Sequence, residues 1–292
     1  MDSSQLTQAM VSKYYNLAKP GIVYGNLLST IGALIFASRG DPDISLLILT
    51  CIGTALIIGS SCVYNNIVDK QIDAKMPRTQ SRALPLEQIS QTNAIIYGSI
   101  LILLGSSLLL CYVNALTLII GIIGAFWYVV IYGIAKRTTH HSTLIGTIAG
   151  ATPSLAGYTA VTNHIDTTGI ILFMILIFWQ MPHFYAIAIF RMQDYKAAHI
   201  PILSIVKGIK RTQIEIFIYT LLLLITLPLL TVYSGASLGF AVITLAFTSR
   251  WINIMTLSLG KSNVAWAREV FGQSLVLILV INVALAIDYW MI

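Results

Sequence analysis

Asn65, Asp69 and Asp73 recur every fourth residue in the run Asn65-Asn66-Ile67-Val68-Asp69-Lys70-Gln71-Ile72-Asp73. That spacing sets three oxygen-bearing side chains along one side of a helix. Two carboxylates spaced this way beside apolar sequence repel one another unless a cation intervenes. Hard oxygen ligands with room left for water suit Mg²⁺, which binds few protein carboxylates together with substrate phosphates. From spacing alone, an ordinary helix end with solvated acids is an equal alternative. The next segment, Met76-Pro77-Arg78-Thr79-Gln80-Ser81-Arg82, adds two guanidinium groups. Arginine holds phosphate oxygens bidentately, so acids followed by arginines point to a metal and a diphosphate.

A second polar cluster reads Trp179-Gln180-Met181-Pro182-His183-Phe184-Tyr185, then Arg191, Asp194, Tyr195 and Lys196. Asp194 is a candidate carboxylate for a second Mg²⁺, although a lone acid in a basic loop is more simply a salt-bridge partner. Arg191 joins Arg78, Arg82, Lys136 and Arg137 as a candidate for holding phosphate. The tyrosines that could offer electron-rich faces to a cation are Tyr128, Tyr132, Tyr158 and Tyr185. Tyrosines near a membrane interface are more often belt anchors.

The elements that carry these residues are written in the hydropathy. The chain has 292 residues, of which 57% are hydrophobic and only 10% charged. Soluble domains carry about 25% charged residues. Apolar stretches able to cross a roughly 30 Å hydrocarbon core recur throughout, without the alternation of a β-barrel strand. The expected fold class is all-α, a polytopic membrane bundle in one domain. Its spans fall at about 22–38, 47–68, 92–112, 114–134, 143–162, 169–190, 214–232, 236–253 and 270–290. Residues 1–21 form an N-terminal segment, and 22–134 and 143–253 suggest two related halves followed by a final helix. With these spans all the lysines and arginines but Arg39 fall on one side. By the positive-inside rule that side is cytoplasmic, with the N-terminus inside and the C-terminus outside. The net charge of +6 is thereby assigned to membrane orientation and not to nucleic acid. Cys51, Cys62 and Cys111 sit in apolar stretches without a CxxC pair and read as packing residues.

These motifs carry a resemblance. The chain resembles the UbiA superfamily of intramembrane prenyltransferases over nearly its whole length. The match begins at Lys19-Pro20-Gly21-Ile22 and Asn26 and continues through the Asn65–Asp69–Asp73 box to Arg82. It takes in Tyr132, Lys136-Arg137-Thr138 and Thr143-Leu144-Ile145-Gly146-Thr147. Trp179-Gln180-Met181-Pro182-His183, followed by Asp194-Tyr195, is similar to the haem-farnesylating branch in particular. Phe190 stands four before Asp194, where other branches usually carry a second acid. The resemblance implies transfer of a farnesyl group from farnesyl diphosphate to a vinyl group of haem b, with addition of water, giving haem o. It implies Mg²⁺ held by Asn65, Asp69, Asp73 and Asp194, with Tyr132 in the reaction site and haem b as substrate. It also implies a downstream haem-copper terminal oxidase or haem-a-making enzyme. Imidazole is a common axial ligand of haem iron, so His183 is the candidate haem contact. His140 and His141 are alternatives for propionate or phosphate.

Three rival readings make different demands. A quinone-pathway prenyltransferase would show the paired second acidic motif. A secondary transporter would place charges near the bilayer midplane in broken helices. A structural oxidase subunit has no need of acids followed by arginines.

Overall fold

A computed structural model describes residues 3–291, and among these it is helical throughout, with turns and no strand. A leading helix, α1 (Ser3–Leu17), occupies most of the segment expected to precede the first span. The long helices follow as α2 (Pro20–Ala37), α3 (Ile44–Asp73), α4 (Gln91–Tyr112) and α5 (Ala115–Phe126). A π-helical stretch (Trp127–Ile131) joins α5 to α6 (Tyr132–Thr138), so these three pieces make one rod. Then come α7 (Ser142–Thr162), α8 (Thr167–Phe190), and the short α9 (Met192–Ala197) and α10 (Leu203–Val206). The last three are α11 (Gly208–Ser234), α12 (Leu238–Leu257) and α13 (Asn263–Ile287). Each expected span falls on one long helix or rod. Eight of these are long and apolar enough to cross a bilayer, which makes the chain a multi-pass membrane protein. The remaining one, α7, is of similar length but rich in Ser, Thr and Gly.

Helix starts are set by short polar side chains. Asp43 accepts from the backbone N–H groups of Ser45 (2.8 Å) and Leu46 (3.1 Å). Ser90, Asn114, Asp166, Ser237 and Ser262 cap α4, α5, α8, α12 and α13 in the same manner. Each satisfies donors that a helix end otherwise leaves orphaned. The boundary difference that bears on the site is at α3, which does not stop at 68 but continues as regular helix to Asp73; α11 and α13 also begin earlier than expected, at Gly208 and Asn263. Beyond 68, Asp69 and Asp73 are buried against neighbouring elements, so the helix has reason to persist.

Six rods, namely α2, α3, the α5–α6 rod, α7, α8 and α13, wall a central cavity, while α4, α11 and α12 pack outside them. In lipid the hydrophobic effect does not drive helices together, so small residues and cross-helix hydrogen bonds set the fit. At the crossing of α2 and α7, a Cβ on Gly157 would meet the backbone carbonyl of Thr30. Nearby, the Thr30 hydroxyl donates to the Pro153 carbonyl at 3.1 Å. On the far side, the indole N–H groups of Trp251 and Trp266 donate to Val270 and Met255 carbonyls and lock α12 to α13.

Two features aim the polar residues. The π-helical stretch adds one residue to a turn, which rotates everything after it by about 100° relative to a continuous α-helix. Lys136 faces α3 because of that rotation. The loop after α3 and the loop after α8 are bound to one another by an apolar cluster of Met76, Ala188, Ala198, Ile200 and Ile202. The two polar clusters of the sequence therefore share one end of the bundle.

Candidate active site

The cavity encloses about 1060 Å³ and runs from a charged mouth to an apolar interior. At the mouth Asp69 and Asp73 are 4% and 2% exposed. Burying carboxylates this deeply is costly unless each is paired. Each is paired. Lys136, itself 8% exposed, binds Asp69 Oδ2, and Arg137 Nη2 lies 3.3 Å from the other oxygen. Arg82 Nη1 donates to Asp73 Oδ2 at 2.7 Å. Asn65 Oδ1 accepts from Lys19 Nζ at 2.7 Å and from the Tyr128 hydroxyl at 3.3 Å. The Asn65 amide nitrogen is buried with no partner and remains a free donor.

The fit to Mg²⁺ can be judged on this donor set. Among the described residues no three His, Cys, Asp or Glu side chains converge on one point. A cation at Asp69 and Asp73 must therefore complete its shell with water and substrate oxygens, which is how Mg²⁺ is usually held. The residues fit that ion.

Most of the expected site residues line the cavity: Asn65, Asp69, Asp73, Arg78, Arg82, Tyr132, Lys136, His183 and Arg191. Two do not. Arg137 approaches Asp69 from outside the lining and also donates to the Val68 carbonyl at 2.6 Å. Asp194, on α9, stands behind Arg78, with its Oδ2 3.9 Å from Arg78 Nε. The four tyrosines also divide. Tyr128 and Tyr132 line the cavity as a stacked pair with centroids 5.7 Å apart and planes 10° apart. Lys136 Nζ sits 5.5 Å above the Tyr132 ring. A Cβ on Gly146 would come within 2.9 Å of that ring, so glycine is what lets α7 approach it. Tyr158 and Tyr185, by contrast, are not cavity residues. Tyr158 donates to Asp166 Oδ2 at 2.7 Å, at the opposite end of the bundle. Tyr185 is buried in the core beside Tyr219. Both belong to the half of α7 or the face of α8 that turns away from the mouth.

His183 lies on the wall shared by α8 and α13. Its Nδ1 is 2.7 Å from Ser274 Oγ, and that hydroxyl gives its own proton to the Phe271 carbonyl at 2.5 Å. The serine proton is thus committed, so His183 Nδ1 carries the proton of its bond and Nε2 carries a lone pair. Trp179 stacks on the imidazole at 4.9 Å.

In the sequence Lys19 figured in the basic asymmetry and at the start of the family match, without a role of its own, yet it is central. It sits between α1 and α2 in a left-handed backbone conformation (φ 52°), which turns its side chain into the mouth. Burial among protein groups pushes its ammonium down to about 8. Its place directly before Pro20, at the start of the first span, was the available signal. Arg268 on α13 also lines the cavity, and no pattern in the sequence distinguished it.

Residues 26–282 match the UbiA prenyltransferase family. The chain belongs to that family. Among its UbiA relatives, a protein of Acinetobacter baumannii (strain ATCC 17978) named protoheme IX farnesyltransferase is 42% identical over 282 residues, covering 96% of this chain and 97% of that one. A solved digeranylgeranylglyceryl phosphate synthase has the same fold, with a TM-score of 0.77 at 22% identity over 96% of this chain and 98% of that one. A UbiA homologue from Archaeoglobus fulgidus, solved with GPP and Mg²⁺ bound, aligns with a TM-score of 0.67 at 14% identity, over 94% of this chain and 99% of that one. The buried acids and their cations thus lie within a UbiA bundle.

Proposed function

We propose that this prenyltransferase joins the farnesyl group of farnesyl diphosphate to a vinyl group of protohaem IX, with addition of water, to give haem o. The observation that carries the reading is a single cavity that joins an acid-and-cation mouth, an apolar interior and a wall bearing an imidazole with a free nitrogen. Its relatives of about 40% identity bear the corresponding name, and the diphosphate and Mg²⁺ bound by the archaeal neighbour suit the same mouth.

The diphosphate lies at the mouth and the isoprenoid chain lies among the aliphatic and glycine residues below. Asp69 and Asp73 would hold Mg²⁺, which when bound neutralises charge on the diphosphate. Lys19, Arg78, Arg82 and Lys136 supply positive charge from this chain, and the unpartnered Asn65 amide donates to a phosphate oxygen. Asp194 acts at one remove by orienting Arg78. Placing fixed positive charge where negative charge grows on the leaving group is the main electrostatic task. The C1–O bond breaks with its electron pair going to the diphosphate. The vinyl π electrons then form the new C–C bond to C1, and water adds to the resulting cation with loss of a proton. Tyr132 presents its face to positive charge at the mouth, as it already does to Lys136, and Tyr128 stacks beside it. His183 Nε2 takes the haem iron.

In this reading α7 is a ninth crossing, and the basic residues put the mouth on the cytoplasmic side of the inner membrane. The deciding experiment supplies membranes with haem b, farnesyl diphosphate and Mg²⁺. Haem o forms with the unaltered protein and not with Asp69→Asn. Haem o formed at an undiminished rate by the variant would remove the acid box from the mechanism.

A further inference from the structure

Four of the six cations that line the mouth are already engaged. Lys136 and Arg82 hold the buried acids, Lys19 holds Asn65, and Arg78 lies against Asp194. Arg191 and Arg268 are different. Both line the same cavity, and neither has a carboxylate within 4.0 Å among the described residues. They also lie on another wall. Arg191 ends α8 with its guanidinium 5.6 Å from the Phe190 ring, and Phe190 packs edge-on against Phe271 of α13 at 5.5 Å. Arg268 stands one helical turn before Phe271 on α13. His183 also packs against Phe271, with centroids 4.9 Å apart.

This wall offers two free guanidiniums, apolar side chains that line the cavity around Phe271 and Leu275, and an imidazole, braced by Trp179, with a free lone pair. A ligand matching all three is apolar, carries a metal at its centre, and bears carboxylates along one edge. We infer that the α8–α13 wall is the acceptor subsite, with Arg268 and Arg191 taking the haem propionates. Ser274 is the positioning residue that fixes His183 Nε2 toward the iron. This inference rests on protohaem being the acceptor, and it withdraws Arg191 from the diphosphate. It also explains which edge reacts. The propionates and vinyls occupy opposite edges of protohaem, so holding the propionates on α8–α13 turns the vinyl edge across the cavity toward α3. That is where the acid box holds the diphosphate.

The two carboxylates can be erased from the ligand instead of the protein. Haem b and its dimethyl ester are titrated into the purified full-length protein in detergent and followed by the Soret band. The unaltered protein binds haem b at least tenfold tighter than the ester. Arg268→Ala, at an exposed position on α13 that leaves the helix intact, loses about tenfold for haem b, keeps its affinity for the ester, and binds a non-hydrolysable farnesyl diphosphate analogue as before. Arg268→Lys recovers part of the preference. Ser274→Ala leaves the preference between haem and ester intact but shifts the iron–histidine stretching band in the resonance Raman spectrum of the ferrous complex. An equal loss for haem and ester in Arg268→Ala, or a loss of analogue binding in its place, overturns the subsite. An unmoved iron–histidine band in Ser274→Ala overturns the positioning role. If the unaltered protein binds no haem at all, the acceptor assignment itself fails and the subsite falls with it.

Discussion

Asp69 and Lys136 form a buried pair whose worth can be separated from its role in the reaction. Asp69→Asn removes the negative partner and leaves an ammonium on a side chain 8% exposed. Stranding one member of a buried pair typically costs about 3–5 kcal/mol. Lys136→Met is the unequal counterpart. Asp69 then keeps Arg137 at 3.3 Å, a cation whose side chain is 42% exposed. An exposed pair of that kind returns up to about 1 kcal/mol, so Lys136→Met should cost about 2–4 kcal/mol. The double variant strands neither charge and should lie within about 1 kcal/mol of the unaltered protein. The resulting coupling is at least about 4 kcal/mol, well above the scatter expected for independent sites. Equilibrium unfolding in mixed micelles, read by tryptophan fluorescence, measures all four corners without substrate. Haem o synthesis should be lost in all three variants, so stability and activity part company in the double one. A double variant no more stable than Asp69→Asn would refute the claim that the two side chains compensate one another.

Lys19 gives a pH test. Its folded value of about 8 lies below the ordinary 10.5 because burial disfavours the charged form. From this group the fold is disfavoured below about pH 8 and gains stability as pH rises from 8 to 10.5, where only the unfolded chain still holds the proton. Diphosphate binding has the opposite sign. It needs the charged ammonium, so affinity for the farnesyl diphosphate analogue should fall by up to about tenfold per pH unit above 8. Lys19→Arg should flatten that fall, and the same slope in both proteins would exclude Lys19 as its source. A further test concerns order. Because the acids are already neutralised by cations of the chain, Mg²⁺ alone should bind weakly, and calorimetry should show at least tenfold tighter binding once the diphosphate analogue is present. By linkage the analogue must gain the same factor from Mg²⁺. Equal Mg²⁺ affinity with and without the analogue would contradict the paired resting state.

Much of this architecture was visible in the sequence because lipid imposes a simple rule. Every backbone group must be satisfied within the helix, so spans announce themselves by length and apolarity. The acid box was visible as a spacing, but a solvated helix end read equally well until the arginines that follow and the family match were added. What escaped were contacts made across elements. Nothing local says that Lys19 adopts a left-handed turn and reaches Asn65, or that Asp194 stops short of the cavity and holds Arg78. Tyr158 and Tyr185 have the same composition signal as Tyr128 and Tyr132, and only the helix faces distinguish them. The π-helical stretch at Trp127–Ile131 is likewise silent, because its apolar residues would read equally well as α-helix.

The polarity of α7 has a consequence for how the protein is made. A nascent helix enters the bilayer by partitioning, and each span is judged first on its own apolarity. Residues 142–162 fall short of their neighbours on that measure, since the Ser, Thr and Gly residues that let them pack against α2, α5 and α8 also make them poor company for lipid. With α7 taken as the proposed ninth crossing, its place in the membrane would depend on helices made before and after it. Because α7 supplies Gly146 against Tyr132 and the Thr147 carbonyl that receives Gln180, the chamber is finished only when that late helix is captured. On that reading an incompletely assembled chain would have an open chamber.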